Sequence, residues 1–208
     1  MQTRKTEHPL PRDRCSAVAP SGEAALHFRK LLRQGRAVAA LTPSGDALAR
    51  ACCRYIDPLR PQTILELGAG TGAVTRRAAA RMHPDSRLIA IERDPDFVAM
   101  LQASVPRADA VQGEAEAMSA LLADRGLARV DVVLNGLPMP SLPAPSRAAV
   151  LAAIAELPGD PWVAQITVMP WIFRRFYARC FQEVRFELAW RNLPPAGVYH
   201  CRGALAVA

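Results

Sequence analysis

The 208-residue sequence predicts a doubly wound α/β domain with a mostly parallel sheet of seven strands, preceded by an N-terminal amphipathic helix. Short apolar runs, typical of strands buried on both faces, alternate with helical patterns from residue 63 to residue 168. A glycine-rich turn follows the first run directly. Two further runs, at 180–190 and 198–207, predict an antiparallel pair that closes the sheet.

Composition divides the chain into three parts. Residues 1–20 are charged and rich in proline, which predicts a disordered arm. Residues 21–60 predict two helices, and residues 61–208 form the α/β domain. No apolar run approaches the roughly 20 residues of a membrane-spanning helix, and the N-terminus lacks the apolar core of a signal peptide. These features favour a cytoplasmic protein, which we expect to be a monomer.

The five cysteines form no CxxC pair, and no His/Cys grouping has the spacing of metal ligands. This pattern predicts reduced structural thiols and no metal site.

Basic charge is concentrated in the N-terminal part of the chain. Residues 1–60 hold eleven Arg or Lys and five Asp or Glu, and so carry +6 of the formal net charge of +7. The helix predicted after the N-cap Ser21 combines Leu and Phe residues with a basic face. The basic residues are Arg29, Lys30, Arg33 and Arg36. Such a helix either binds an anionic membrane surface or covers the sheet, while nucleic-acid binding and a solvated face also account for the charge.

A second helix is predicted to begin at Thr42, with Pro43 at its first position, and to end near Pro58. Thr42 and Ser44 lie shortly before the glycine-rich turn. Their hydroxyls serve either as helix caps or as contacts to a ligand bound at that turn.

The turn after Thr63–Leu67 has the composition of a ligand-binding loop. Gly68, Gly70 and Gly72 permit positive φ angles, and the helix predicted from residue 71 directs its N–H groups towards a ligand. A turn of this kind also occurs for packing alone. Glu66 favours a ligand with a cationic amino-acid group, because a carboxylate there would repel a pyrophosphate. The predicted site comprises Glu66, Gly68, Ala69, Gly70, Thr71 and Gly72.

The second predicted strand, at 87–91, ends in Glu92. An acidic residue at this place in a doubly wound sheet accepts hydrogen bonds from ribose hydroxyls. We assign Arg93 to the same site. Asp94 precedes a proline, which indicates a helix cap rather than a ligand.

The third strand, at 108–111, leads into Gln112-Gly113-Glu114-Ala115, and the fourth, at 130–134, ends in Asn135-Gly136-Leu137-Pro138. A helix at 146–157 and a fifth strand at 162–168 follow. Because ligands of such sheets bind at the carboxyl ends of the strands, both segments are expected beside the glycine-rich turn.

The segment Glu66-Leu67-Gly68-Ala69-Gly70-Thr71-Gly72 resembles motif I of the class I S-adenosylmethionine-dependent methyltransferases. The resemblance implies a Rossmann-like fold with S-adenosylmethionine as cofactor, its methionine part on the glycine loop and its amino group bound by Glu66. Gly113, Glu114 and Ala115 resemble the Gly-Asp-Ala that contacts adenine in this class. Glutamate replaces the aspartate here.

Four segments resemble the bacterial phospholipid N-methyltransferases, which methylate phosphatidylethanolamine. They are residues 38–44, motif I, Asn135–Pro138 with Ser141-Leu142-Pro143, and residues 190–199, whose N-L-P-P-A-G-V-Y is the most specific. The resemblance implies methylation of a phospholipid headgroup amine by an enzyme on the inner face of the cell membrane, with no nucleic-acid partner. Val168 stands where the family usually has tyrosine, and Asn135 where serine is frequent, which leaves the headgroup open.

Ribosomal RNA adenine dimethyltransferases are the alternative, since they share the fold and carry N-[LI]-P-[YF] after the fourth strand. The segment Asn135–Pro138 lacks that aromatic residue, on which a flipped adenine would stack. Another small-molecule methyltransferase and a non-enzymatic S-adenosylmethionine-binding module are further alternatives.

Methyl transfer to an amine depends on positioning and desolvation more than on a general base. We therefore predict a positioning role for Asn135, Gly136, Leu137 and Tyr199. Asn135 is also assigned to the cofactor site, and Asn192 and Tyr199 are expected to contact the substrate.

Overall fold

A computed structural model describes residues 43–168, 172–189 and 196–205. Its strands are Thr63–Leu67 (β1), Arg87–Glu92 (β2), Ala108–Gln112 (β3), Val132–Asn135 (β4), Trp162–Val168 (β5), Phe181–Ala189 (β6) and Ala196–Ala204 (β7). They form one sheet in the order β3-β2-β1-β4-β5-β7-β6. The first five strands in this order are parallel to one another, and β7 pairs antiparallel with both β5 and β6. The predicted seven-stranded, doubly wound sheet is confirmed.

The described helices cover both faces of this sheet. They are Pro43–Cys52 (α1), Ala73–Arg81 (α2), Pro95–Ser104 (α3), Met118–Ala123 (α4), Ala144–Ala155 (α5) and Arg174–Cys180 (α6), with 3₁₀ turns at Ala115–Ala117 and Met139–Ser141.

Alternate residues of β1 point to opposite faces of the sheet. Leu65 and Leu67 pack in a core with α4, α5 and α6, whereas Ile64 packs in a second core with α1, α2 and α3. Because helices cover both faces, the central strands are apolar along almost their whole length.

Two predicted helices have other bounds in the structure, and a further helix was not predicted. The helix expected to reach Pro58 ends at Cys52, because the chain tightens into short-range turns in which Arg54 N–H bonds to Ala51 C=O and Ile56 N–H to Cys53 C=O. The helix predicted at 146–157 is Ala144–Ala155. Helix α6 was not predicted, although Tyr177 and Cys180 lie on its buried side at helical spacing.

Several predictions fall outside the described residues. They concern the arm at 1–20, the basic helix with Arg29, Lys30, Arg33 and Arg36, Thr42, the side chain of Ser44, and Asn192. Among the residues that the structure does describe, no helix is long and apolar enough to cross a membrane, and no cluster of three His, Cys, Asp or Glu could hold a metal ion.

Candidate cofactor and acceptor site

The glycine-rich turn joins β1 to α2 in the backbone conformation that the sequence predicts. Gly68, Gly70 and Gly72 have φ angles of 69°, 55° and 79°. The N–H groups of Gly68 and Ala69 donate to the carbonyl of Ile91, at 2.9 and 3.3 Å, which fastens the turn to β2. Thr71, half-buried, completes the turn.

Gly72 has a packing role in addition to the predicted ligand contact. A Cβ atom at this position would lie 2.5 Å from Cδ2 of Leu101, a buried residue of α3. Gly72 is also the N-cap of α2, and it offers no side chain to bond the first N–H groups of that helix. These N–H groups are therefore available to a ligand.

Glu92 fixes the glycine-rich turn to the end of β2. Its side chain is only 7% exposed, and Oε2 accepts a 2.7 Å hydrogen bond from Gly70 N–H. Its Oε1 accepts from the N–H groups of Arg93 and Asp94, at 3.0 and 3.2 Å. A carboxylate has about four lone-pair sites, so Glu92 retains capacity for a ligand hydroxyl. Asp94 accepts from Asp96 N–H and caps α3, as predicted.

Glu66 lies on the same face of the sheet as Glu92. It pairs with Ala90 in the β1–β2 ladder, and Glu92 is two residues beyond Ala90. Its carboxylate is buried close to Cys53 of the segment after α1. Burial, together with the charge of Glu66, raises the pKa of the Cys53 thiol to about 12. Two carboxylates thus flank the turn and are suited to a cationic amino group and ribose hydroxyls.

The segment after β3 supplies the third side of the site. Gly113 N–H donates to the carbonyl of Glu92 at 3.0 Å, which places this segment against the end of β2. Glu114 is exposed, Ala115 is buried, and Arg93 is exposed. Contacts of these residues with adenine remain a prediction. The arrangement as a whole fits S-adenosylmethionine, since it combines open backbone donors with carboxylates for the amino and ribose groups.

The loop after β4 is fixed by a hydrogen bond within the loop and by another to the neighbouring strand β1. Asn135 is 1% exposed, and its Oδ1 accepts a 3.0 Å hydrogen bond from Leu137 N–H. Gly136 N–H donates to the carbonyl of Leu67 at 2.9 Å. The amide oxygen of Asn135 is therefore engaged in shaping the loop, and its predicted role in positioning the substrate remains a prediction.

Gln165 is a residue of this site that was not predicted. Its Nε2 donates to the carbonyls of Leu137 at 2.9 Å, Asn135 at 3.3 Å and its neighbour Ile166 at 2.9 Å. The side chain is 2% exposed and braces the loop from β5. The signal in the sequence was a glutamine within a largely apolar strand next to the predicted site.

Tyr199 lies in the core on β7, the strand next to the one that carries Gln165. It is paired with Gln165 in the β5–β7 ladder, as Gln165 is paired with Asn135. Its ring is 1% exposed and lies 4.7 Å from the ring of Tyr177 and 4.9 Å from that of Phe186. Burial raises the pKa of Tyr199 to about 12, so its phenol is protonated at neutral pH. Its contact with substrate remains a prediction.

The sheet order, the positive-φ glycine turn and the acidic residues on β1 and β2 define a class I S-adenosylmethionine-dependent methyltransferase. Residues 64–157 match the family model described as "Methyltransferase domain". The chain is 41% identical over 182 residues to the ornithine lipid N-methyltransferase of Singulisphaera acidiphila, a match that covers 86% of this chain and 95% of that protein. The chain belongs to the same family of methyltransferases as this enzyme, and its cofactor is S-adenosylmethionine.

Solved structures share the fold at low sequence identity. The 1,6-didemethyltoxoflavin-N1-methyltransferase of Burkholderia thailandensis, solved with S-adenosylhomocysteine, has a TM-score of 0.61 and 17% identity, covering 96% of this chain and 94% of that one. A TehB-like methyltransferase of Corynebacterium glutamicum has a TM-score of 0.55 and 17% identity, covering 86% of this chain and 96% of that one. At these identities the likeness extends to the fold alone.

Proposed function

We propose that this methyltransferase acts on the amine of a membrane-lipid headgroup, either an ornithine lipid or phosphatidylethanolamine. The observation that carries the proposal is the 41% identity, over nearly the full length of both chains, to an ornithine lipid N-methyltransferase. The segment at 190–199, which resembles the lipid-modifying branch, supports the same acceptor class.

The residues of the site serve to position the reactants. Glu66, Glu92 and the glycine-rich turn bind and orient the cofactor, which supplies an electrophilic methyl group on sulfur when bound. The loop held by Gln165 presents the acceptor amine in line with that methyl group. The acceptor ammonium would lose a proton to solvent before each transfer, which frees the nitrogen lone pair. With both groups held in this way, the nitrogen would take the methyl group and the cofactor sulfur would keep the electron pair of the broken C–S bond.

A nucleobase acceptor is disfavoured by the loop after β4. A flipped adenine requires an aromatic or similar face on which to stack. Pro138 occupies the position of that aromatic residue, and the segment that follows, Met139–Ser141, is a 3₁₀ turn whose Met139 is buried in the core.

The acceptor is identified by transfer of a labelled methyl group. The purified protein is incubated with methyl-labelled S-adenosylmethionine and, in separate reactions, with vesicles containing ornithine lipid, vesicles containing phosphatidylethanolamine, and ribosomal RNA. We expect label in one or both lipids and none in RNA. Labelled RNA, or a labelled soluble amine with both lipids unlabelled, would show that the lipid proposal is wrong and would leave the methyltransferase assignment intact.

We also propose that residues 23–40, which the sequence predicts to form a basic helix, bind the membrane surface. A basic residue near an anionic bilayer contributes about 1 kcal/mol, so Arg29, Lys30, Arg33 and Arg36 together suffice for reversible binding. In sedimentation assays we expect binding to anionic vesicles and not to neutral ones, with loss of binding when all four are changed to glutamine. Equal binding to both vesicle types would contradict this proposal.

A further inference from the structure

Arg147 is a buried arginine next to the loop after β4, residues 136–143, which we call the acceptor loop. It lies in the first turn of α5 and is only 3% exposed. Its Nη1 donates to the carbonyl of Leu142 at 3.1 Å and is 3.5 Å from that of Pro140. The guanidinium carbon lies 5.8 Å from the ring centroid of Phe176 in α6. The cation is therefore held between the two helices that follow the acceptor loop and β5.

The described surroundings of Arg147 contain no counter-ion. The ion pairs formed among residues 43–168, 172–189 and 196–205 all involve other arginines or histidines. A guanidinium is costly to bury without an anion. The two carbonyls and the ring of Phe176 offset part of that cost. Both hydrogen bonds that Arg147 forms within residues 43–168, 172–189 and 196–205 use Nη1, so no acceptor in this part of the chain engages its Nε and Nη2 donors.

The position of Arg147 associates it with the acceptor rather than with the cofactor. Asn135 and Leu67 are paired in the β1–β4 ladder, and Leu67 faces the core formed with α4, α5 and α6. Arg147 lies on this same side, near the carboxyl end of β4. Glu66 and Glu92 project from the opposite face of the sheet.

We propose that Arg147 binds the anionic group of a zwitterionic headgroup whose amine lies at the loop after β4. The inference rests on the proposed function. Both candidate acceptors combine an amine with an anion, which is a carboxylate in ornithine lipid and a phosphodiester in phosphatidylethanolamine. A guanidinium forms two parallel hydrogen bonds to either group, and an ammonium does not.

The test compares acceptors that differ only in the anion. One pair is ornithine lipid and its carboxyl methyl ester, and the other is phosphatidylethanolamine and its phosphate methyl triester, all in neutral vesicles. For the natural acceptor we expect the wild-type kcat/KM to favour the charged member by about 10-fold or more, the value of a charged hydrogen bond. The pair in which this preference appears identifies the anion.

Three variants of Arg147 and one control separate charge from structure. Arg147→Met removes charge and hydrogen bonds, whereas Arg147→Gln keeps N–H donors for the loop carbonyls and removes only the charge. Both are expected to lose the preference, because KM rises much more for the charged acceptor than for its neutral analogue. Arg147→Lys should keep part of the preference. Arg60→Met is the matched control. Arg60 precedes the amino end of β1, whereas the site lies at the carboxyl ends of the strands, and its side chain is 69% exposed.

S-adenosylhomocysteine affinity, measured by calorimetry, shows that each variant is folded. If Arg147→Met does not fold, Arg147→Gln gives the result. The proposal is wrong if the variants lower kcat/KM equally for both members of a pair, which would mean that Arg147 only holds the loop, or if the wild type does not discriminate between them. If the wild type methylates neither lipid, the proposed function fails and this inference fails with it.

Discussion

Replacing Gly70 by valine is expected to weaken the binding of S-adenosylhomocysteine by more than about 100-fold, or about 2.7 kcal/mol. Gly70 has a φ angle of 55°, which a β-branched residue adopts only under strain. Relief of that strain moves the turn and breaks the 2.7 Å hydrogen bond from Gly70 N–H to Glu92. The substitution therefore adds a side chain on the cofactor's path and also releases the carboxylate predicted to bind the ribose. Calorimetric titration measures the effect.

Gly126 provides the control for backbone strain alone. Its φ angle is 63°, and a Cβ atom there would have no neighbour within 4 Å. Gly126→Val should therefore lower the melting temperature about as much as Gly70→Val and leave the affinity for S-adenosylhomocysteine unchanged. If Gly70→Val binds as tightly as the wild type, or if both variants lose affinity equally, the glycine-rich turn is not the cofactor site.

The features that the sequence predicted correctly depend on local patterns. The central strands were predictable because both faces of the sheet are covered there, so β1, β2 and β4 are short, largely apolar runs that end at a glycine or a charged residue. The helix cap at Asp94 was predictable because Asp-Pro is a local signal for a helix start. The doubly wound sheet was predictable because strand and helix patterns alternate along the chain.

The two side chains that hydrogen-bond to the acceptor loop, Gln165 and Arg147, were not predictable in this way. Gln165 lies 28 residues from Leu137, whose carbonyl it bonds, and the two meet only because β4 and β5 are neighbours in the sheet. The arginine in α5 has no sequence signal that distinguishes it from exposed basic residues. Its burial follows from the packing of α5 beside α6, and α6 was itself not predicted. Long-range contacts of this kind depend on the fold and leave no periodic pattern.

Replacing Gln165 by leucine is expected to lower kcat by about 10-fold to 100-fold and to leave the affinity for S-adenosylhomocysteine within about 2-fold of the wild type. Leucine has a similar volume and no donor, so the carbonyls of Asn135 and Leu137 lose the hydrogen bond that fixes the loop. A misplacement of about 1 Å in a positioning loop costs a factor of this size. Glu92 lies on the opposite face of the sheet and keeps its hydrogen bonds from Gly70, Arg93 and Asp94.

Gln182→Leu is the matched control, because Gln182 is exposed on the edge strand β6 and is distant from the loop. It should leave kcat unchanged. Single-turnover measurement of methyl transfer, with the acceptor that the labelling assay identifies, separates the chemical step from binding. If Gln165→Leu raises only KM for the acceptor, or weakens cofactor binding as strongly as it lowers kcat, the loop after β4 does not align the amine with the methyl group. A fall in kcat at unchanged cofactor affinity would place the aligning contacts at Asn135–Leu137, since these are the carbonyls that Gln165 holds.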